Sequence, residues 1–167
     1  ATHNFWAPEV HRYGGRYVML ASFKAHQRYR GTQILTADRP EGPFVPLTDG
    51  PITPPDWECL DGTLYVDEAG VPWIVFCHEW VQIHNGAIVA LPLTADLRRP
   101  AGRPAYLFSA SEAQWVRPIR SWPEEGTHGF PCYVTDGPYL YRSSTGSLLL
   151  LWSSFGEGGY TLGVARS

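Results

Sequence analysis

The sequence repeats one kind of segment three times: an apolar strand, a turn containing glycine, and a second apolar strand. The three copies are Phe5–Phe23, Asp61–Trp80 and Asp136–Phe155. Glycine suits tight hairpin turns because it adopts positive φ without steric cost. The return strand of the second copy, Trp73 to Phe76, is much too apolar to belong to a surface ribbon.

Further strand-like segments follow each hairpin and bring the predicted count to four, four and three strands. A short helical turn is also predicted at Ser111–Val116. The added strand segments are Gln33–Ala37, Phe44–Val45, Ala87–Leu91, Ala105–Phe108 and Tyr160–Val164.

The spacing of the hairpins favours a β-propeller. The equivalent positions Ala7, Gly62 and Gly137 lie roughly 55 and 75 residues apart, within reach of the period of four-stranded propeller blades. We therefore predict an all-β fold with about two and three-quarter antiparallel blades in one partial propeller domain. The first, second and third blades are expected at about 5–48, 57–110 and 130–167.

Composition supports this fold and excludes some partners. The 167 residues suffice for one domain, and the 14% aromatic share with 17 Gly and 15 Pro favours short strands and turns. A net charge of −3 without a basic stripe argues against nucleic acid, and no apolar run is long enough to span a membrane. Cys59, Cys77 and Cys132 fit neither a disulfide framework nor a zinc motif, so we expect buried thiols.

A propeller typically needs four or more blades to close its ring. With fewer, apolar blade faces and strand edges stay open and invite association. The sequence thus predicts either additional chain at both ends or a homodimer in which two copies complete one another. The first residues show no signal-peptide pattern, and the compartment stays open between a bacterial cytoplasm and secretion.

Three carboxylates stand at or near the start of the three hairpins: Glu9, Asp61 and Asp136. Each Asp-Gly pair could be turn chemistry alone. In a propeller, however, the innermost strands begin around one end of the central channel, so these side chains are expected to converge there. Converging carboxylates among aromatic residues are what glycoside hydrolysis requires, one holding a proton and another staying ionised.

Three short motifs in the same order resemble those of glycoside hydrolase family 43. They are Trp-Ala-Pro-Glu-Val at 6–10, Leu-Asp-Gly-Thr-Leu-Tyr-Val-Asp at 60–67 and Thr-Asp-Gly-Pro-Tyr-Leu at 135–140. The resemblance implies a five-bladed propeller that hydrolyses arabinose- or xylose-containing polysaccharides by an inverting mechanism. It suggests an arabinofuranosidase or a β-xylosidase.

The resemblance also suggests roles for two residues. Asp61 takes the place of the aspartate that orients the general acid and tunes its pKa. Asp136 takes the place of the acid itself, which is normally glutamate in the family. The family's general base is an aspartate ahead of the Trp-Ala-Pro motif, and nothing upstream of Trp6 supplies it. Whether the isolated chain is an enzyme is therefore open, the alternative being a non-catalytic carbohydrate-binding or self-assembling propeller.

A competing assignment comes from Trp57–Asp61, which is similar to a signature of the invertase-like family 32. Glu58 would then be the acid of a retaining mechanism. We prefer family 43 because all three hairpins fit its pattern.

Several residues are candidates for contacting the sugar or an ion. Trp80 could stack on a sugar ring or simply end a strand, and Arg28 and Arg30 are interpreted as solvated loop residues. No cofactor is expected, except for a calcium ion that the resemblance allows on the propeller axis near a histidine such as His128. The substrate-binding candidates are Trp6, Glu9, Phe23, His78, Glu79, Trp80 and His128.

Overall fold

The computed structural model describes residues 1–120 and 129–166, with the side chain of Arg120 left aside. Its main elements are antiparallel sheets whose strands pair in sequence order, two of them four-stranded and one three-stranded. This confirms the predicted all-β class and its four-stranded antiparallel sheets.

The first blade consists of β1 (His3–Tyr13), β2 (Arg16–Lys24), β3 (Gly31–Ala37) and β4 (Val45–Pro46). The second consists of β5 (Cys59–Val66), β6 (Pro72–His78), β7 (Ala87–Pro92) and β8 (Ala105–Ser109).

A small sheet and the third blade follow the second blade along the chain. A small two-stranded sheet pairs β9 (Ile119–Arg120) with β10 (Pro131–Cys132). It leads into the third blade, which consists of β11 (Asp136–Arg142), β12 (Leu148–Gly156) and β13 (Gly159–Arg166).

Helix is limited to two single turns in the described residues. The predicted turn at Ser111–Val116 is a 3-10 turn at Ala110–Glu112, closed by a capping box between Ser109 and Glu112. The second turn, α1 (Trp80–Ile83), follows β6 directly and was not predicted. No helix in 1–120 or 129–166 has the length and apolar character needed to cross a membrane.

Strand β6 lies between the two main hydrophobic clusters. Its residues alternate, so that Ile74 and Phe76 belong to the cluster shared with the first blade, whereas Val75 and Cys77 belong to the cluster shared with the third. Both faces of a strand are buried in this way when sheets stack on either side. All three cysteines are buried, as predicted.

Each innermost strand contains a β-bulge near its start, and β1 has a further register shift between His3 and Trp6. The residue inside each bulge has positive φ: 43° at Ala7, 53° at Asp61 and 51° at Gly137. A bulge inserts an extra residue into one strand and redirects the side chains around it. The register shifts lie between Trp6 and Glu9, between Leu60 and Thr63, and between Asp136 and Tyr139.

The bulges correct one expected equivalence. The sequence pattern matches Gly62 with Ala7 and Gly137, but the bulge register places Asp61 at that position. The two Asp-Gly pairs are therefore offset by one residue. Asp61 lies inside its bulge, whereas Asp136 lies immediately before its own, so the two carboxylates leave their strands at different points.

Candidate active site

The bulge at Asp61 is held by side chains of the first blade. The Asp61 amide donates to Oγ of Ser22 at 2.8 Å, and the Gly62 amide donates to Oγ1 of Thr32 at 3.2 Å. Ser22 and Thr32 are completely buried. A Cβ at position 62 would lie 2.7 Å from atoms of Thr32 and Ile74, so only glycine fits there. The neighbouring blade thus fixes the backbone that carries the Asp61 carboxylate.

The carboxylate of Asp61 reaches the third blade. Its Oδ2 accepts a hydrogen bond from the Gly137 amide at 2.9 Å. Gly137 can present that amide because its positive φ is accessible to glycine without strain. This contact ties the start of β5 to the start of β11, directly beside Asp136.

The surroundings of Asp61 act on its ionisation in opposite directions. Burial raises its pKa above the ordinary aspartate value, and the negative charge of Glu9 raises it further. The hydrogen bond from Gly137 and the positive charge of Arg30 oppose the rise. Desolvation is the largest of these effects, as expected for a carboxylate removed from water.

Asp136 has an environment suited to holding a proton. Burial raises its pKa to about 6, the charge of Asp61 adds to the rise, and a hydrogen bond from Tyr160 opposes it. The Tyr160 hydroxyl donates to Oδ2 of Asp136 at 2.9 Å. Two carboxyl groups whose surroundings give them different proton affinities are the usual arrangement for acid catalysis near neutral pH.

Glu9 lies near Asp61 but is tied into the framework. Its Oε1 accepts a hydrogen bond from the Thr63 hydroxyl at 2.7 Å and also contacts Nε2 of His11. Thr63 is on β5, so Glu9 links the innermost strands of the first and second blades. The substrate contact predicted for Glu9 stays a prediction.

The two aromatic substrate-binding candidates of the first blade, Trp6 and Phe23, lie beside Ser22. Trp6 is 42% exposed, and its ring packs over the Arg30 guanidinium with 4.4 Å between the guanidinium carbon and the ring centroid. Phe23 makes an edge contact with Phe5 at 5.6 Å between ring centroids. Trp6 pairs with Ser22, the residue that holds the Asp61 amide. The indole of Trp6 is therefore accessible, while the sugar contacts predicted for Trp6 and Phe23 stay predictions.

The interpretation of Arg30 as a solvated loop residue is wrong, because its side chain is only 7% exposed. Its guanidinium pairs with the carboxylate of Glu79, which is also buried. A second buried carboxylate, Glu58, accepts from the Arg30 amide at 2.7 Å and pairs with Lys24. Sequence reasoning missed this network because its members come from three separate segments.

Glu58, the acid proposed by the family 32 alternative, is part of this network. Both carboxylate oxygens of Glu58 are engaged, one by Lys24 and the other by the Arg30 amide. A carboxylate held in this way between two donors performs a structural task.

The remaining candidates at the end of the second hairpin are packed against protein. His78 stacks on Trp57 with ring centroids 4.2 Å apart, and its Nε2 lies 2.8 Å from Oε1 of Gln82. Burial lowers the pKa of His78. Trp80 is buried in a cluster with Cys132 and Val134. The structure does not bring the Trp80 ring to the surface, and sugar contacts of His78, Glu79 and Trp80 stay predictions.

The described residues contain no set of ligands for the calcium ion that the family resemblance allows. Nowhere in 1–120 or 129–166 do three His, Cys, Asp or Glu side chains cluster in a way that could hold a metal ion. His128, predicted to bind substrate and to lie near the axis, falls outside the described residues.

One solved structure combines clear sequence identity with this fold. The endo-arabinase from Bacteroides thetaiotaomicron is 46% identical, superposes with a TM-score of 0.91, and is matched over 99% of this chain and 57% of its own. An endo-1,4-β-xylanase from the same organism is 23% identical with a TM-score of 0.73, covering 100% of this chain and 51% of that one. The second likeness shows the fold alone. The present chain spans a little over half the length of these proteins.

None of the curated protein sequences compared matches the chain. The family model described as "Glycosyl hydrolases family 43" matches residues 1–167, the whole sequence. The solved neighbours and the blade architecture agree with that match. The chain is therefore a member of glycosyl hydrolase family 43.

Proposed function

We propose that the protein hydrolyses glycosidic bonds in arabinose-containing polysaccharides, with inversion at the anomeric carbon. The observation that carries this proposal is the contact that joins the starts of the second and third blades, where the two aspartates lie. Asp61 hydrogen-bonds to the residue after Asp136, and Asp136 has a pKa raised to about 6. In this proposal Asp136 is the general acid and Asp61 orients it and tunes its pKa.

The proposed acid step follows from these contacts. A protonated Asp136 gives its proton to the glycosidic oxygen as the bond to the anomeric carbon breaks, so that the leaving sugar departs as a neutral alcohol. The nearby negative charge of Asp61 favours the protonated form of Asp136 before the step. It also interacts favourably with the positive charge that develops on the sugar ring in the transition state.

Inverting hydrolysis also needs a base that activates water on the opposite face of the sugar, roughly 6.5–9.5 Å from the acid. Glu9 is the neighbouring carboxylate of the first blade, but its oxygen is held by Thr63 and His11. We therefore assign no base within the described residues. The proposal requires a carboxylate from elsewhere in the protein or from a second copy.

The choice of arabinan as substrate rests on the endo-arabinase that is 46% identical over 99% of this chain. The test is to incubate the purified protein with linear arabinan, with xylan and with nitrophenyl arabinofuranosides and xylosides, and to analyse the released sugars. Release from arabinan, faster than from xylan and abolished in the Asp136→Asn variant, supports the proposal. Release that is unaffected by the substitution contradicts it.

A second copy of the chain is the partner that we propose for the open blade faces. Large apolar side chains are exposed on the innermost strand of the first blade and on two strands of the third. An unpartnered apolar surface of this kind favours association. Light scattering tests this: a defined dimer supports it, and a monomer at micromolar concentration contradicts it. The exposed side chains are Phe5, Trp6, Val10, Tyr139, Tyr141, Tyr160, Leu162 and Val164.

A non-catalytic carbohydrate-binding protein is the second candidate, favoured by the absence of an assigned base in the described residues. It predicts that arabino-oligosaccharides bind in calorimetry without being cleaved, and that Trp6→Ala weakens binding. Cleavage by the purified protein, lost in Asp136→Asn, excludes this candidate.

A further inference from the structure

We propose that Tyr160 is a positioning residue for Asp136, selecting which carboxyl oxygen carries the acidic proton. The inference deepens the proposed function and rests on it for its catalytic consequence. The contact between the two side chains is a property of the fold alone. It brings together the first strand of the third blade and its third strand.

The first support is the direction of the hydrogen bond. The phenol of Tyr160 donates to Oδ2 of Asp136 at 2.9 Å. Among residues 1–120 and 129–166, no donor contacts Oδ1. An oxygen that already accepts a hydrogen bond is a poor place for a proton, so the proton of the neutral carboxyl belongs on Oδ1. That oxygen remains available to a glycosidic oxygen.

The second support is the way in which the phenol itself is held. The Tyr160 ring makes an edge contact with Phe155 at 5.1 Å, and the two residues are direct partners in the β12–β13 ladder. Ser153, on the middle strand of the blade, pairs with Asp136 in the β11–β12 ladder. The ring contact and the strand pairing therefore hold the Tyr160 phenol on β13 within reach of the Asp136 carboxylate on β11.

The third support is the identity of the acid. Aspartate is one methylene shorter than the glutamate expected at this position from the family resemblance, so its carboxyl has fewer rotamers and stays closer to its strand. Tyr160 reaches this shorter side chain from β13.

Other charged groups also surround the two side chains. Asp61 faces Asp136 from the second blade, and Arg117 and Glu157 line the cleft beside the Tyr160 ring.

The test is a carboxyl titration that does not depend on activity. The protein is labelled with ¹³C at aspartate carboxyl carbons, and the Asp136 resonance, assigned with Asp136→Asn, is followed from pH 3 to pH 9. Tyr160→Phe keeps the ring contact with Phe155 but removes the donor to the carboxylate. We expect the pKa of Asp136 to rise by at least about half a unit, because the ionised form loses its hydrogen bond.

Tyr139→Phe is the matched control, since Tyr139 is a half-exposed tyrosine of the same blade. It is expected to leave the Asp136 titration unchanged. If Tyr160→Phe does not fold, Phe155→Leu serves instead, because it removes the ring contact that positions the Tyr160 phenol. A smaller upward shift is then expected. An Asp136 titration that is identical in the parent and in the folded variant overturns the inference.

The catalytic consequence is measured separately. In a protein that cleaves arabinan, Tyr160→Phe is expected to move the alkaline limb of kcat/KM to higher pH and to lower its plateau about tenfold. If the titration shifts but no cleavage occurs in either protein, the role of Tyr160 toward Asp136 is supported and the proposed function fails. If cleavage occurs and the titration does not shift, only the role of Tyr160 fails.

Discussion

The Gly137 amide donates a 2.9 Å hydrogen bond to Oδ2 of Asp61, although the two residues are 76 positions apart. The contact is made between two bulges, one in each innermost strand. Asp61 is thereby joined to the residue that follows Asp136. A local change in either bulge is expected to alter the relation between the two aspartates.

Asp61→Asn removes a charge while keeping an oxygen that can accept from Gly137. We expect the fold to persist and kcat on arabinan to fall by about two orders of magnitude or more, because Asp136 loses the charge that favours its protonated form. Parallel thermal unfolding separates the two effects. Near-normal turnover with an unchanged melting temperature is incompatible with the role given to Asp61.

Ser22→Ala leaves the buried amide of Asp61 without its acceptor. The expected loss is about 1–3 kcal/mol in the free energy of unfolding, the usual cost of an unsatisfied buried polar group. Urea unfolding measures it, with Ser144→Ala on the exposed turn of the third blade as control. Equal stability of the two variants would show that Ser22 does not hold the bulge.

Gly137→Ala tests the conformation of the second bulge. A Cβ there would meet no atom within 4 Å, so any cost comes from the positive φ of 51°. We expect a destabilisation of about 1–2 kcal/mol, together with weaker catalysis. Gly50→Ala also points into open space but lacks the positive φ, and it is the matched control. Gly137→Asn should recover part of the loss, since asparagine tolerates this region.

The ionisation of Asp136 predicts a pH dependence of stability. Its pKa is about 6 in the fold, against about 3.9 for an ordinary aspartate. The folded state therefore favours the protonated form, and this contribution is complete below about pH 3.9 and lost as the pH rises through about 6.

Asp136→Asn imitates the neutral form at every pH. Its stability relative to the parent is expected to increase between pH 4 and pH 7 by about 1–3 kcal/mol. Unfolding in urea at pH 4, 5, 6 and 7 measures this difference, with Asp49→Asn on the surface as control. A difference that is constant across this range contradicts the raised pKa.

Glu79→Ala distinguishes a structural role from a sugar contact. The substitution removes the carboxylate that pairs with the buried Arg30 guanidinium, so we expect a loss of about 3–5 kcal/mol in the free energy of unfolding. Glu41→Ala, at an exposed loop position, is expected to change stability little. If Glu79→Ala instead keeps full stability and only weakens oligosaccharide binding, Glu79 is a ligand contact.

The hairpins and their carboxylates could be predicted because their signals are local. Alternating apolar residues, Asp-Gly pairs and glycine turns all act within about 20 residues. The one-residue offset between Asp61 and Asp136 could not be predicted in this way. The two Asp-Gly pairs look alike in sequence, and the difference depends on where each bulge falls in pairing with the next strand.

The partners of the site could not be predicted for a similar reason. Tyr160 reaches Asp136 from a strand that begins 23 residues later, and Arg30 meets Glu79 across two blades. Such pairs depend on the stacking of the sheets. A buried arginine next to a strand leaves no pattern that distinguishes it from a solvated one.

The acid role of Asp136 is tested most directly by comparing two leaving groups. In Asp136→Asn, cleavage of arabinan needs a proton that the variant cannot supply, whereas a dinitrophenyl arabinofuranoside releases a stable anion without one. We predict a loss of at least about 100-fold in kcat/KM on arabinan and a much smaller loss on the activated glycoside. Equal losses on both substrates, or no loss on either, would contradict the assignment of Asp136 as the general acid.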